Sequence, residues 1–368
     1  MHERANGEMN VLVMGGSLFN GRSLVQELVV AGHDVTVSNR GQTKVDLPTG
    51  VERIVCDRTD HAVTRAALAG KAWDAVVDMS AYHPEDAQLM LEILEGNVGH
   101  YIFVSSTVIY ASGPDPIVET SPLARGADQN EYGLHKILAE DLLIDAHGDR
   151  GFPVSIAALG MVFGPGNAIP SREQRMFARM RAGRKILVPG DGSTRGIVGY
   201  IDDQSRAITA MLGNQATFGR RFNITGDDPH SDMRYVEAFA AVAGTEPTVA
   251  HIPAEVMNRL WDGGMAIARD GGPAPTLDFR PTAAATDRAR PHAVKFQLAN
   301  LVQRLQPNLH RWDRDTVTSV DSLKDVTGWE PRFDFEAAVE ATYSWWQDAP
   351  ESEIEHDFGW EDEILALF

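Results

Sequence analysis

The sequence predicts an α/β fold: a doubly wound parallel sheet with helices on both faces, followed by a smaller C-terminal α/β substrate-binding lobe. Three observations predict it. From residue 10 to about residue 159, short β-branched runs alternate with longer helical patterns, the arrangement that builds a covered parallel sheet. The first run feeds directly into a glycine-rich turn and a helix. After Leu159 the alternation loosens, and Pro165, Gly166, Pro170, Pro189, Gly190 and Gly192 punctuate a mixture of short elements.

Strands are expected over residues 11–14, 34–38, 51–56, 75–79, 101–105 and 154–159, where Val, Ile and Ala cluster in short runs. Helical periodicity falls between them, over residues 21–30, 62–68, 85–94 and 130–146. The predicted division is a dinucleotide-binding domain over residues 9–160, and a lobe over 161–347, some of which returns to the first domain. An acidic tail follows over 348–368. Residues 263–281 are rich in Gly, Pro and Ala and read as a mobile loop or lid, and amphipathic segments follow near 294–305 and 335–346. The tail carries Trp360, Ile364, Leu365, Leu367 and Phe368, a spacing that predicts docking onto the body or a partner.

Composition excludes several function classes. With 33 basic against 52 acidic residues the formal charge is -19, so phosphate backbones are repelled and nucleic-acid binding is disfavoured. Twelve histidines show no metal-ligand spacing, so no metal site is expected. No apolar run approaches the roughly 20 residues of a membrane span, and the first ten residues are polar, so a cytoplasmic protein without a membrane partner is expected. Cys56 is the single cysteine; it reads as the end of a buried strand, with packing as its role.

The chemistry-bearing residues follow the order of the strands. Gly15, Gly16, Ser17, Leu18, Phe19 and Gly21 form the turn between the first strand and its helix, where backbone amides and the helix dipole suit a pyrophosphate. Leu18 stands where a Rossmann-type three-glycine fingerprint has its middle glycine. The second strand ends at Asn39-Arg40, without the acid that usually grips the ribose of NAD. Asn39 can bond a ribose and Arg40 a 2′-phosphate, so NADP is slightly favoured over NAD. Asp57, after the third strand, is placed to meet an adenine.

Ser106 lies at the end of the fifth strand, with Ser105 and Thr107 as its competitors, and is suited to hold a substrate oxygen. Tyr132 and Lys136, four apart on the next helix, share a face, so the ammonium can lower the phenol's pKa toward neutrality for proton exchange. Tyr82 and His83, after the fourth strand, are further candidates for substrate contact.

These residues together resemble an extended, atypical short-chain dehydrogenase/reductase of the NAD-dependent epimerase/dehydratase family. The likeness is carried by Gly15 to Gly21, Asn39-Arg40-Gly41, Asp57, the run from Ser105 to Tyr110, Tyr132 with Lys136, and Val162-Phe163-Gly164-Pro165-Gly166. It continues through Pro189-Gly190-Asp191-Gly192, Arg195, Ile201-Asp202-Asp203, Phe222 to Gly226 and Gly328-Trp329-Glu330-Pro331. The resemblance implies catalytic roles for Ser106, Tyr132 and Lys136, a ribose contact for Lys136, a substrate-phosphate contact for Arg195, and a possible homodimer.

Departures limit what transfers. Ala158-Leu159 and Met161 replace the Arg-Pro and Asn of the family pattern, which weakens a nucleotide-sugar reading. Thr107-Val108 replaces the Asp-Glu pair of sugar dehydratases, so elimination of water is not expected. The expected activity is epimerisation or reduction at a secondary alcohol or ketone of a sugar-like or nucleotide-linked small molecule. The alternatives are a non-catalytic dinucleotide-binding regulator and an RNA-binding relative of the same fold, as in chloroplast stem-loop-binding proteins.

Overall fold

The computed structural model describes residues 7–43, 45–113, 115–169, 172–262, 295, 298–303 and 309–368. The segment 263–281, read from sequence as a mobile loop or lid, lies outside the described residues, as do residues 294, 296, 297, 304 and 305 of the segment near 294–305.

The first half alternates as expected. Strand β1 (Asn10–Met14) leads to helix α1 (Phe19–Val30), then β2 (Asp34–Asn39), β3 (Glu52–Val55), α2 (His61–Leu68), β4 (Ala75–Asp78) and α3 (Pro84–Leu94). β5 (Tyr101–Ser106), α4 (Glu131–Arg150) and β6 (Val154–Leu159) complete it. Local signals set the helix ends: the Asn130 side chain accepts from the amide of Gly133 at 2.7 Å, and Gly151 ends α4 in the left-handed conformation.

The remaining elements are β7 (Val162–Phe163), α5 (Glu173–Arg181), β8 (Ile186–Pro189), β9 (Arg195–Gly196), β10 (Gly199–Tyr200), α6 (Ile201–Met211) and β11 (Arg221–Ile224). They continue with β12 (His230–Ser231), α7 (Asp232–Ala243), β13 (Val249–Ile252) and α8 (Ala254–Trp261). Helices further on are numbered α9 (Asp321–Thr327), α10 (Phe335–Asp348) and α11 (Gly359–Leu365).

The main sheet has seven parallel strands in the order β11-β6-β5-β4-β1-β2-β3. β11 joins it from beyond the first βα half. Because side chains alternate across a strand, Val11 and Val13 pack with α1 on one face, while Leu12 and Met14 pack with α3 on the other. Helix α6 lies beside α1, and Ser23 bonds Ser205 at 2.8 Å between them.

β3 corrects one expectation. It is an edge strand with solvent on its free side, so Glu52, Arg53 and Val55 are exposed rather than part of a buried strand. Cys56, just past its end, is nevertheless buried, 3.1 Å from the Ser38 hydroxyl.

Beyond the sheet, β8 pairs with β13, and this lobe is covered by α5, α7, α8 and α10. The tail folds onto it: Trp360 and Ile364 of α11 pack against Leu187, Ile252 and Trp261, while Leu367 and Phe368 stay exposed. Glu361 anchors that helix as a buried carboxylate accepting from both Arg175 and Arg179 of α5.

Candidate functional site

In an open parallel sheet the crevice for ligands lies outside the carboxyl ends of the strands, where the order reverses; here that is between β1 and β4. The glycine turn sits at this point. Gly15 has φ +96°, which a side chain disfavours, and a Cβ there would lie 3.0 Å from that of Ser80 after β4. A Cβ on Gly21 would lie 2.3 Å from the Gly15 carbonyl oxygen, so α1 can start this close to β1 only because Gly21 has no side chain. Leu18, in the middle of the turn, is 56 % exposed and extended in backbone, so the missing central glycine causes no clash. The turn therefore forms a cradle of backbone that fits a pyrophosphate at the α1 N-terminus.

The outer end of the crevice carries the other dinucleotide candidates. Asn39 donates to the Ser17 hydroxyl at 2.7 Å and accepts from the Gly41 amide at 2.9 Å, so its side chain ties the end of β2 to the turn. Arg40 is exposed beside it. Asp57, beyond β3, accepts from the amide of Thr59 at 3.0 Å and from its hydroxyl at 2.8 Å.

The inner end brings together the three residues expected from sequence to exchange protons. Ser106 ends β5, its hydroxyl accepting from the Val108 amide at 3.3 Å, and Tyr132 lies near the start of α4 within electrostatic reach of that hydroxyl. Lys136, one turn further along, is buried and donates to the carbonyls of Ala81 at 2.7 Å and Val104 at 2.8 Å. Three rings surround its ammonium: Phe103 at 4.8 Å, Tyr82 at 5.4 Å and Tyr132 at 5.6 Å from the ring centres. Burial pushes Lys136 down to about 8, against the upward pull of Asp78.

The phenol differs from expectation. Burial raises Tyr132 above its usual value and Tyr82 adds to this, while Ser106 and the charge of Arg172 act in the other direction. The ammonium does not lower it, because Lys136 is directed to two carbonyls rather than to the phenolic oxygen.

The substrate candidates divide. Thr107 and Met161 line a cleft together with Gly160, Gln303, Thr316 and Thr318. Tyr82 stands half-exposed with its ring 6.0 Å from that of Tyr132, and His83 lies at the start of α3 with its ring 4.8 Å from that of His135. Arg195 is engaged by two carboxylates, donating to Asp315 at 2.8 Å and to Asp115 at 2.5 Å. Among the described residues no group of His, Cys, Asp and Glu could hold a metal ion. No helix among them is long and apolar enough to cross a membrane.

Sequence reasoning missed four residues here. Gln303 has φ +52° and links the Glu173 carboxylate to the Tyr235 hydroxyl beside the cleft. Arg172 precedes α5 within electrostatic reach of Tyr132. Arg58 and Asp78 form a buried ion pair below the crevice. Asp78 had a visible signal, a carboxylate ending the apolar run Ala75-Val76-Val77; Gln303 had none.

The model of the NAD dependent epimerase/dehydratase family matches residues 11–225. The chloroplast stem-loop binding protein of 41 kDa b from Arabidopsis thaliana is 25% identical over 381 residues, covering 100% of this chain and 86% of that protein. The 2'-dehydrokanamycin reductase of Streptomyces kanamyceticus is 28% identical, covering 67% of this chain and 70% of its own. Among solved structures, dTDP-glucose 4,6-dehydratase from Bacillus anthracis in complex with NAD superposes with a TM-score of 0.67 at 16% identity, covering 94% of this chain and 98% of that one.

Proposed function

The chain belongs to the NAD dependent epimerase/dehydratase family, and from that premise we propose that it is a nicotinamide-dependent reductase or epimerase. Its substrate is a sugar-like or nucleotide-linked small molecule with a secondary alcohol or ketone. The observation that carries this reading is the placing of Ser106 at the end of β5 beside Tyr132, with Lys136 one turn along α4 and its ammonium 5.6 Å from the Tyr132 ring centre, next to the glycine cradle.

In this reading Gly15, Gly16, Ser17, Leu18, Phe19 and Gly21 hold the pyrophosphate, Asn39 and Arg40 the adenosine ribose and Asp57 the adenine, while Tyr132 and Lys136 flank the nicotinamide end. The bound nicotinamide supplies or accepts the hydride. Tyr132 then gives its proton to the substrate oxygen in reduction, or takes it in oxidation, and Ser106 steadies that oxygen. A phenol held above its usual pKa stays protonated, which suits donation to a ketone. Lys136 acts as a fixed cation beneath the ring pair and contacts the nicotinamide ribose. Exposed Arg40 supports NADP over NAD. Thr107 and Met161 face the substrate, with Tyr82 and His83 at the rim. Arg195 reaches a substrate phosphate only by leaving Asp115 or Asp315.

Two relatives support the choice of class. The Streptomyces protein is by name a 2'-dehydrokanamycin reductase, and the Bacillus structure is a dTDP-glucose 4,6-dehydratase in complex with NAD. The test has two parts. Mass spectrometry of the denatured protein identifies any retained dinucleotide, and reduced-cofactor absorbance is followed with a panel of keto-sugars that includes 2'-dehydrokanamycin. Tyr132→Phe is expected to lower turnover by about 10²–10⁴-fold while keeping dinucleotide affinity. Equal turnover by Tyr132→Phe refutes proton transfer through this phenol. A dinucleotide retained through turnover, with no net absorbance change, assigns epimerisation. A second reading, stem-loop RNA binding, draws on the Arabidopsis relative and runs against the charge of -19. Salt-sensitive RNA binding at micromolar protein would favour it.

A further inference from the structure

We propose that Arg58, acting through Asp78 and Asp86, is a positioning residue that clamps the segment from Ser80 to His83 against Lys136. This rests on the reading of Lys136 as part of the proton-transfer group.

Arg58 follows Asp57 on the turn after β3, and its guanidinium reaches inward under the crevice. One amino group lies 2.5 Å from an oxygen of the Asp78 carboxylate and 2.9 Å from the Ser80 hydroxyl; the other lies 3.1 Å from the second Asp78 oxygen. Its Nε lies 3.5 Å from Asp86. Asp78 is wholly buried and also accepts from the Tyr101 hydroxyl at 2.9 Å and the Ser80 amide at 3.1 Å. Asp86 accepts from the amides of Tyr82 and His83, both at 3.1 Å. The segment between these carboxylates supplies the Ala81 carbonyl that receives the Lys136 ammonium, and the Tyr82 ring that covers it. Ser80 meanwhile abuts Gly15 of the cradle. One forked cation thus sets both the cradle and the lysine, and the planar bidentate geometry is one that a lysine at position 58 cannot reproduce.

The charges around Lys136 give the clamp a signature that loss of packing alone does not produce. The charged groups facing Lys136 are Asp78, Asp86 and Glu140, which favour the ammonium, and Arg58, which opposes it; Tyr82 and Tyr132 cover it as neutral rings. Removing a carboxylate therefore lowers the pH at which Lys136 loses its proton, and removing the guanidinium raises it.

The experiment measures dinucleotide affinity by fluorescence titration, and turnover alongside it, as functions of pH in wild type and variants, with thermal melting to follow folding. Asp78→Asn is expected to move the alkaline limb down by about one pH unit, Asp86→Asn down by less, and Arg58→Met up by about one unit. Arg58→Lys is expected to keep the limb in place but weaken affinity and turnover several-fold. Asp86→Asn and Arg58→Lys keep size or charge, so they carry the test if the other two fail to fold. Limbs that superimpose on wild type in the charge-changing variants, with full affinity in Arg58→Lys, overturn the proposal provided Lys136→Met has lost the limb. A Lys136→Met protein with an unchanged limb overturns the role of Lys136 itself, and the clamp with it.

Discussion

Lys136 makes a quantitative prediction about stability as well as chemistry. Its ammonium is buried, and burial lowers it from 10.5 to about 8. Between these two pH values the native protein has released the proton while the unfolded chain still holds it. The unfolded state then binds more protons, so stability rises with pH across the window. At about 1.36 kcal/mol per pH unit, the gain between pH 8 and 10.5 is about 3 kcal/mol. Lys136→Met removes this group and leaves the Ala81 and Val104 carbonyls without their donor, a pH-independent cost of about 1–3 kcal/mol each. The difference in unfolding free energy between wild type and variant is thus expected to change by about 3 kcal/mol from pH 7.5 to 10.5, in favour of wild type. Urea denaturation at half-unit pH intervals measures it, and other titrating groups cancel in the difference. Parallel stability curves over that range refute the buried-cation argument.

Other perturbations probe the remaining parts. Gly21→Ala places a Cβ 2.3 Å from the Gly15 carbonyl, backbone against backbone, so the turn must shift; dinucleotide affinity by fluorescence titration is expected to fall at least about tenfold. Arg40→Ser is expected to weaken NADPH binding about tenfold and leave NADH binding little changed. Equal losses for both cofactors remove Arg40 from phosphate recognition. Glu361→Gln removes the carboxylate shared by two buried guanidinium groups, leaving Asp357 near Arg175, and should cost about 3 kcal/mol in urea denaturation. A loss below about 1 kcal/mol means that α11 is held by its apolar contacts instead.

Short-range pattern was enough to read the sheet half from sequence. The strand over residues 154–159 coincides in both readings, and the strand-turn-helix around Gly15 to Gly21 needed only glycines at fixed spacing. Tyr132 and Lys136 were legible because helix geometry places residues four apart on one face, and Ser106 because a strand end determines its position. Tertiary structure decided the rest, through partners distant in sequence. The ammonium of Lys136 could be expected near the phenol; only the approach of Ala81 and Val104 shows it directed elsewhere, with the phenol raised rather than lowered. Arg195 of β9 meets Asp115 and Asp315 from distant parts of the chain, and Gln303 reaches Glu173 across 130 positions. β3 had the composition of a buried strand, but its burial depends on its rank in the sheet, which the order β1-β2-β3 places at the edge. Periodicity is a property of neighbours along the chain, and it sufficed for elements and for the Tyr-Lys face. Burial and charge environment are properties of neighbours in space, so the clamp around Lys136 became visible only in the folded chain.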